Sequence, residues 1–308
     1  MITSKFLNPK NDVAFRRIFG TEKNKDILIH FINDILELKG QNRIKEVTFL
    51  SPVQIPEIII KKESIVDVLC MDESGVQIIV EMQVSPSKGF EKRAQYYASK
   101  AYSRQLDKGR NSKYENLKAV VFIAITDIVI FKDKVNYKSN HIILDTETYT
   151  NDLKDFSFTF IELPKFKITD INLLTNIIEK WCYFFKNANE TSESDLEKII
   201  GSDSVIKRAY EELNMFNWNE VELFTYDREI KRIMDNRAVE DYLIEFGINK
   251  GMEKGMEKGM EIGKIEGLKE GKIEVAKNLL RLKIDVSTIS KSTELTIEEV
   301  EKLKIDFN

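Results

Sequence analysis

The sequence predicts an α/β fold in which helices flank a sheet of buried strands. Apolar runs at 65–71, 76–84 and 117–125 are typical of strands that are covered on both faces. Helical patterns precede and separate these runs, and from about residue 171 onward the pattern is mainly helical. The order helix, strands, helix, strand indicates an α/β sandwich.

The elements follow in order along the first half of the chain. Asp12 can cap a first helix, and a second helix runs from Asp26 to Gly40. A later helix is expected at about 91–108. The expected strands are 44–50, 57–61, 65–71, 76–84 and 117–125, with segments near 141–146 and 157–163 extending the sheet at an edge.

Two acidic residues lie inside strands that are otherwise apolar. Gly75 indicates a three-residue hairpin loop from Glu73 to Gly75, because that loop ends in the left-handed conformation that glycine adopts most cheaply. Folding the hairpin about this loop sets Asp67 opposite Glu81, with Gln83 on the same face. Opposed carboxylates at this spacing repel each other unless a cation or a proton lies between them.

A divalent cation with oxygen ligands, most simply Mg²⁺, explains this pair. Asp67 and Glu81 would bind the ion, and the main-chain carbonyl of Met82 could supply a third oxygen. The alternative is a hairpin whose carboxylates lie on a wet edge or are neutralised by Lys61 and Lys62.

The helix after the hairpin carries a basic side and a side of small residues. Residues 84–118 contain nine Lys or Arg and three Asp or Glu. A basic stripe of this kind favours contact with DNA phosphates, although such a stripe is more often only the solvated face of a helix. The small side, which would pack on the sheet, contains Ala94, Ala98, Ala101 and Tyr102. The basic side contains Arg93, Tyr97, Lys100, Arg104 and Lys108.

Composition excludes several classes of protein. The 308 residues carry a net charge of -4, so DNA binding requires a local basic patch. Only two histidines and two distant cysteines are present, which argues against zinc chemistry and a disulfide framework and favours the reducing cytoplasm. No phosphate-binding glycine motif follows a strand, and no apolar run is long enough to span a membrane.

The second half of the chain divides into three further segments. Residues 171–246 form a helical region that packs on the core of residues 1–170, with an apolar stripe from Leu173 to Phe185. Its aromatic residues, including Phe216 and Trp218, are interpreted as core and not as platforms for base stacking.

Glycine recurs every four residues from Gly247 to Gly271. This segment, residues 247–271, is either a flexible tether or a helix whose glycine groove packs against a partner such as a second copy of the chain. Residues 272–308 form a small helical module that resembles a helix-turn-helix, with a capping box at Thr296 and Glu299. The charges of its seven basic and seven acidic residues cancel. A role in docking or dimerisation is therefore at least as well supported as DNA binding.

Four blocks of the sequence together resemble the Rpn-type family, recombination-promoting nucleases of the PD-(D/E)XK superfamily that are often labelled as transposases. The blocks are the opening helix at 8–20, the acidic hairpin ending in Glu81-Met82-Gln83, the helix at 90–109 and the segment at 161–166. The resemblance implies a restriction-endonuclease-like core, a mixed central sheet flanked by helices, with a helical region and a glycine-repeat tail after it.

The resemblance also implies Mg²⁺-dependent DNA cleavage, with Mn²⁺ as a substitute. Asp67 and Glu81 are then the metal ligands, and Gln83 occupies the position of the signature lysine. Glutamine is neutral and can only orient a water or a phosphate oxygen, so cleavage could be slow, or Lys61 or Lys62 could act as the base. Asp12 is an auxiliary candidate on the opening helix.

The sequence is therefore compatible with three functions. The first is a metal-dependent DNA endonuclease that supports recombination or transposition. The second is a catalytically weak nuclease fold that binds DNA or a protein partner. The third is an assembly protein that forms homo-oligomers, in which the glycine repeat and the C-terminal module of residues 272–308 dominate.

Overall fold

The computed structural model describes residues 5–54, 64–106, 113–201 and 203–305. The expected strand at 57–61 lies outside these residues, as do Lys61, Lys62 and Lys108. In the described chain, six strands form one mixed sheet in the order β1-β4-β5-β6-β8-β7, and β2 and β3 form a separate antiparallel pair. The strands are β1 Val47–Phe49, β2 Val53–Gln54, β3 Ser64–Ile65, β4 Val68–Asp72, β5 Gln77–Gln83, β6 Val120–Thr126, β7 Lys138–Ile142 and β8 Phe156–Glu162.

Helices cover both faces of this sheet, and further helices follow it along the chain. The opening helix is capped by Asn11, whose side chain accepts a hydrogen bond from the amide of Val13. The expectation that Asp12 is the cap was therefore wrong, since Asp12 is the first helical residue. The helices are α1 Asp12–Phe19, α2 Lys25–Ile35, α3 Phe90–Ser103, α4 Ile177–Asn187, α5 Glu193–Ile200, α6 Ser204–Leu213, α7 Glu220–Arg281, α8 Val286–Thr293 and α9 Ile297–Ile305.

The acidic hairpin has the predicted loop and register. β4 and β5 are antiparallel, with Val68 opposite Val80. Gly75 ends the loop at a φ of 91°, in the left-handed region where a side chain would be strained. On its other side β5 is parallel to β6, and β6 is parallel to β8. Because parallel strands run in one direction, their carboxyl ends lie at the same edge of the sheet.

Two hydrophobic clusters cover the two faces of the sheet. Successive residues of a strand point to opposite faces, so Ile78, Val80 and Met82 join one cluster and Ile79 joins the other. The first cluster includes residues of α1, α2, α4 and α6, and the second includes α3. Glu81 and Gln83, two and four residues after Ile79, are therefore on the face that α3 covers.

The two faces are filled by different kinds of side chain. Ala94, Ala98 and Ala101 of α3 are buried on the sheet, as their small size predicted. On the opposite face Trp181 and Phe185 of α4 are fully buried, which confirms their interpretation as core. Two other residues expected in that core are exposed: Leu173 lies in a 3₁₀ turn before α4, and Phe216 lies in the 3₁₀ turn after α6.

The chain forms two compact units, Met1–Ile233 and Met234–Asn308. The first contains the sheet and the start of α7. In the second, the end of α7 packs with α8 and α9 around a small core of Ala276, Ile289, Leu295 and Val300.

The second unit also holds the glycine repeat and the capping box. All seven repeat glycines lie within α7. The predicted capping box is confirmed, since Thr296 and Glu299 exchange side-chain to amide hydrogen bonds of 2.9 and 3.2 Å. No helix in the described ranges has both the length and the apolar character needed to cross a bilayer.

Candidate active site

Two acidic side chains face each other where β4 begins and β5 approaches its end. The register that pairs Val68 with Val80 places Asp67, just before β4, opposite Glu81 of β5. The amide of Asp67 donates a hydrogen bond of 3.1 Å to Oε2 of Glu81, and the amide of Met82 donates one of 2.9 Å to Oδ2 of Asp67. The hairpin thus brings the two predicted carboxylates together and fixes their orientation with main-chain donors.

Burial shapes the electrostatics of this pair. Glu81 is 6% exposed, and burial together with the charge of Asp67 raises its pKa to about 8. Burial also raises the pKa of Asp67, although the hydrogen bond from Met82 and the nearby Arg16 oppose this shift. Two buried carboxylates cost free energy unless a cation or a proton compensates them. The pair therefore favours a bound cation or a shared proton.

The oxygen atoms at this position suit a hard cation with few protein ligands. In the described ranges, no three His, Cys, Asp or Glu side chains come close enough together to hold a metal ion. The amide and carbonyl of one strand residue point to the same neighbouring strand, so the carbonyl of Met82 is on the side of Asp67. Two carboxylates and one carbonyl fit Mg²⁺, which commonly keeps several water ligands.

Two arginines from different helices approach the carboxylates. Nη2 of Arg16, on α1, lies 3.3 Å from Oδ1 of Asp67. Nη2 of Arg93, on α3, lies 3.9 Å from Oε1 of Glu81. Sequence reasoning missed Arg16, although one signal was present: Arg16 is four residues after Asp12, and residues at that spacing share a face of a helix.

Asp12 also belongs to this cluster of charges. Its pKa is raised to about 6, first by burial and then by the charges of Asp67 and Glu229. Arg232 opposes this shift, with its Nη2 3.6 Å from Oδ2 of Asp12. Glu229 and Arg232 come from the start of α7, far along the chain from Asp12, and nothing in the sequence pattern connects them to α1.

Gln83 is held by its neighbours. Its Oε1 accepts a hydrogen bond from Nη2 of Arg93, and its Nε2 donates one to the carbonyl of Ser85. The guanidinium of Arg93 lies 4.8 Å from the ring centroid of Phe90 and 5.9 Å from that of Tyr97. Both ends of the Gln83 amide are thus engaged, and the guanidinium is fixed between the strand and two aromatic rings.

The basic side of α3 extends away from the carboxylates. The Tyr97 ring lies 5.9 Å from the guanidinium of Arg93, and burial, together with the charges of Glu81 and Asp67, raises the pKa of its hydroxyl. Nζ of Lys100 lies 5.8 Å from the ring centroid of Tyr96, and Arg104 follows the last helical residue as the C-cap. The structure thus brings Arg93 and Tyr97 to the acidic pair and leaves Lys100 and Arg104 further along the helix.

Comparison with known proteins gives one match that covers most of the chain. A family model described as PD-(D/E)XK nuclease family transposase matches residues 9–242. No curated protein and no solved structure matches the chain at a significant level. The matched residues include α1, the acidic hairpin, α3 and the whole mixed sheet, which confirms the resemblance found in the sequence. The chain therefore belongs to the PD-(D/E)XK nuclease family transposases.

Proposed function

We propose that this protein is a metal-dependent DNA endonuclease that hydrolyses phosphodiester bonds and serves DNA recombination or transposition. The observation that carries the proposal is the facing pair of Asp67 and Glu81. One oxygen of each carboxylate accepts a hydrogen bond from a main-chain amide. These bonds fix the orientation of each carboxylate, and therefore the direction of its second oxygen. In a member of a nuclease family, such a pair is best explained as a metal site.

The proposed ligands are the carboxylates of Asp67 and Glu81 and the main-chain carbonyl of Met82. When bound there, one or two Mg²⁺ ions, or Mn²⁺ in their place, would activate a water and offset negative charge on the phosphate. The residues of the chain supply the remaining functions. The hairpin amides orient both carboxylates, and Asp12 would act as an auxiliary acid beside Asp67.

The proposed DNA path runs along α3. Its basic side begins at Arg93, beside the carboxylates, and continues through Tyr97, Lys100 and Arg104, with Lys108 further along the chain. Lys and Arg contacts to phosphates supply sequence-independent affinity that falls as salt is added. We further propose that the protein forms homo-oligomers through the glycine-repeat segment, residues 247–271, and that it acts in the cytoplasm.

Nicking of supercoiled plasmid tests the assignment. Purified protein is incubated with Mg²⁺, Mn²⁺ or EDTA, alongside Asp67→Ala and Glu81→Ala proteins whose fold is checked by circular dichroism. Glu115→Ala is the matched control, because Glu115 is an acidic residue with a side chain 70% exposed, paired only with Lys113 among the described residues. Cleavage that requires metal and is lost in both site variants, but not in the control, supports the proposal.

A second function has one observation in its favour. The amide of Gln83, at the position of the signature lysine, is already bonded to Arg93 and Ser85. A nuclease fold that lacks a free group at that position could act only as a DNA-binding protein. In that case wild type and both site variants would be equally inert with every metal, while DNA binding would survive in EDTA and in Asp67→Ala.

A further inference from the structure

We propose that Arg93 is the catalytic cation of this site and takes over the role of the lysine that Gln83 replaces. This inference rests on the proposed nuclease function and changes the role expected for Arg93, which was a general contact to DNA phosphates. The geometry of the site, and not the spacing of residues in the sequence, points to this role. The PD-(D/E)XK signature places its lysine on β5, whereas Arg93 lies on α3.

The position of the guanidinium supports this role. Nη2 of Arg93 is bonded to Oε1 of Gln83, and it lies 3.9 Å from Oε1 of Glu81. The positive charge of Arg93 therefore lies close to the position that the ammonium of a lysine at position 83 would occupy, next to the proposed metal ligand Glu81. The rings of Phe90 and Tyr97 limit the movement of the side chain. A fixed cation needs little reorganisation when negative charge develops nearby.

One donor of Arg93 has no acceptor in the part of the chain that the structure describes. The Nε atom is buried and, among the described residues, has no hydrogen-bond partner, whereas the side chain as a whole is 33% exposed. An unpaired buried donor is costly, and native proteins seldom keep one without a function. The buried Nε indicates that the guanidinium is held in place for a function, and its Nη donors, on the rigid planar fork that matches phosphate geometry, are the ones that a phosphate oxygen can reach.

The role is electrostatic and not acid–base. In the reaction, the oxygen of a water forms a bond to phosphorus and loses a proton to the solvent or to a base. The bond from phosphorus to the leaving oxygen breaks, and that oxygen takes up a proton. Arg93 exchanges no proton in either step, since a guanidinium stays protonated in proteins. It would donate hydrogen bonds to a non-bridging phosphate oxygen, where charge increases in the transition state.

Single-turnover cleavage and DNA affinity, measured separately, test this role. Cleavage of a labelled duplex is followed with Mg²⁺, and the Kd for the same duplex is measured by fluorescence anisotropy with Ca²⁺. We expect Arg93→Gln to lower the cleavage rate by about 100-fold to 1,000-fold, the loss typical of removing one such donor. Its Kd should change by less than about fivefold, since one phosphate contact contributes little to a long basic surface. Lys92→Gln, an adjacent and exposed charge on α3, should change the rate by less than about threefold.

A rescue variant separates a missing cation from a damaged fold. Adding Gln83→Lys to Arg93→Gln restores the signature lysine, and we expect it to regain at least about tenfold in rate. If Arg93→Gln does not fold, Arg93→Lys carries the test, because it keeps the positive charge and removes the planar fork of donors, and full activity in it would overturn the need for the guanidinium.

The possible results distinguish the two proposals. Wild-type protein that is inert with every metal would overturn the nuclease function, and the role of Arg93 with it. An active wild type with an inert Asp67→Ala leaves the nuclease function standing. In that case, the Arg93 role alone is overturned if Arg93→Gln cleaves at nearly the wild-type rate, if its rate loss equals its loss of affinity, or if Gln83→Lys restores nothing.

Discussion

The amide of Asp67 donates a hydrogen bond of 3.1 Å to Oε2 of Glu81 across the hairpin. The bond holds the Glu81 carboxylate beside a second acid, where mutual repulsion and burial both act against its ionised form. A main-chain donor therefore fixes an arrangement that the side chains alone would not favour. Such strain in the metal-free protein is expected at a site that is built for a cation.

Glu81→Gln should make the metal-free protein more stable. The pKa of Glu81 rises from 4.5 in the unfolded chain to about 8 in the folded protein. Between these values the unfolded chain binds fewer protons, so the free energy of unfolding falls as the pH rises. In EDTA near pH 8, we expect the variant to be more stable than wild type by on the order of 2 kcal/mol, measured by urea unfolding.

The pH dependence provides the control for this prediction. The advantage of Glu81→Gln should be small near pH 5, where Glu81 is protonated in the folded protein, and should grow toward pH 8. Glu115→Gln, which removes an exposed carboxylate, should follow the wild-type curve. If the free energies of unfolding of wild type and Glu81→Gln change in parallel with pH, the surroundings of Glu81 do not destabilise its ionised form.

The acidic hairpin could be predicted because the interactions that form it are local. The three-residue loop ending at Gly75 sets the register, and strand alternation then places Asp67, Glu81 and Gln83 on one face. The apolar runs and the alanine side of α3 are equally local signals, and they locate the strands and the helix that covers them. The cap of α1 was placed one residue late because Asn11 and Asp12 are both good caps.

The charged surroundings of the pair could not be predicted, because they depend on tertiary packing. Arg16 reaches Asp67 only because α1 packs beside the start of β4, and Arg232 reaches Asp12 only because α7 returns to α1. The sequence pattern puts Arg93 on a basic DNA-binding stripe, since a helical wheel cannot show that its guanidinium turns toward Gln83. Periodicity gives the face of a helix but not the partner of a side chain.

Arg16→Gln should tighten binding of Mn²⁺. The Arg16 guanidinium lies 3.3 Å from Oδ1 of Asp67, so it competes for that oxygen and repels a divalent ion. The side chain is 49% exposed, so solvent screens much of this effect. We expect the Kd for Mn²⁺, measured by calorimetry, to fall about threefold, or roughly 0.6 kcal/mol. Lys113→Gln removes an exposed charge on another element and should leave the Kd unchanged, whereas weaker binding in Arg16→Gln would contradict the competition.

Glu162 should be essential for stability, although it has no proposed role in cleavage. The residue is fully buried and accepts hydrogen bonds from the amides of Ile130 and Phe131, at 2.6 and 3.0 Å, and from Nζ of Lys165 at 2.7 Å. Glu162→Ala leaves the buried Lys165 ammonium without its counter-ion, with the carbonyl of Phe131 still accepting from it, and should lower the free energy of unfolding by about 3 to 5 kcal/mol in urea titrations.

The double variant Glu162→Ala/Lys165→Met checks the reason for this loss. It removes both charges together, so it should cost less than the sum of the two single changes. Additive losses would show that the two side chains do not depend on each other, and a loss below about 1 kcal/mol in Glu162→Ala would contradict the buried ion pair itself.

The glycine repeat of α7 offers a test of the proposed homo-oligomer. At each repeat glycine from Gly247 to Gly271, an added Cβ would meet no atom of the described residues within 4 Å beyond the neighbouring residues and backbone of its own helix. Alanine at three of these positions, in Gly255→Ala/Gly259→Ala/Gly263→Ala, should therefore stabilise the isolated helix by about 1 kcal/mol per site. If copies of the chain pack through the glycine groove, the same methyl groups would hold the two helices apart. We therefore expect higher helix stability by circular dichroism together with weaker self-association by analytical ultracentrifugation.

The control changes the opposite side of the same helix. Glu253→Ala/Glu257→Ala/Glu261→Ala places alanine two residues before each of these glycines, about 200° around the helix, and should leave self-association as it is in wild type. The glycine variant and the control both raise helix propensity, but only the glycine variant fills the groove. Self-association that survives in the glycine variant would mean that copies meet through another surface, and that the groove exists for a partner other than the chain itself.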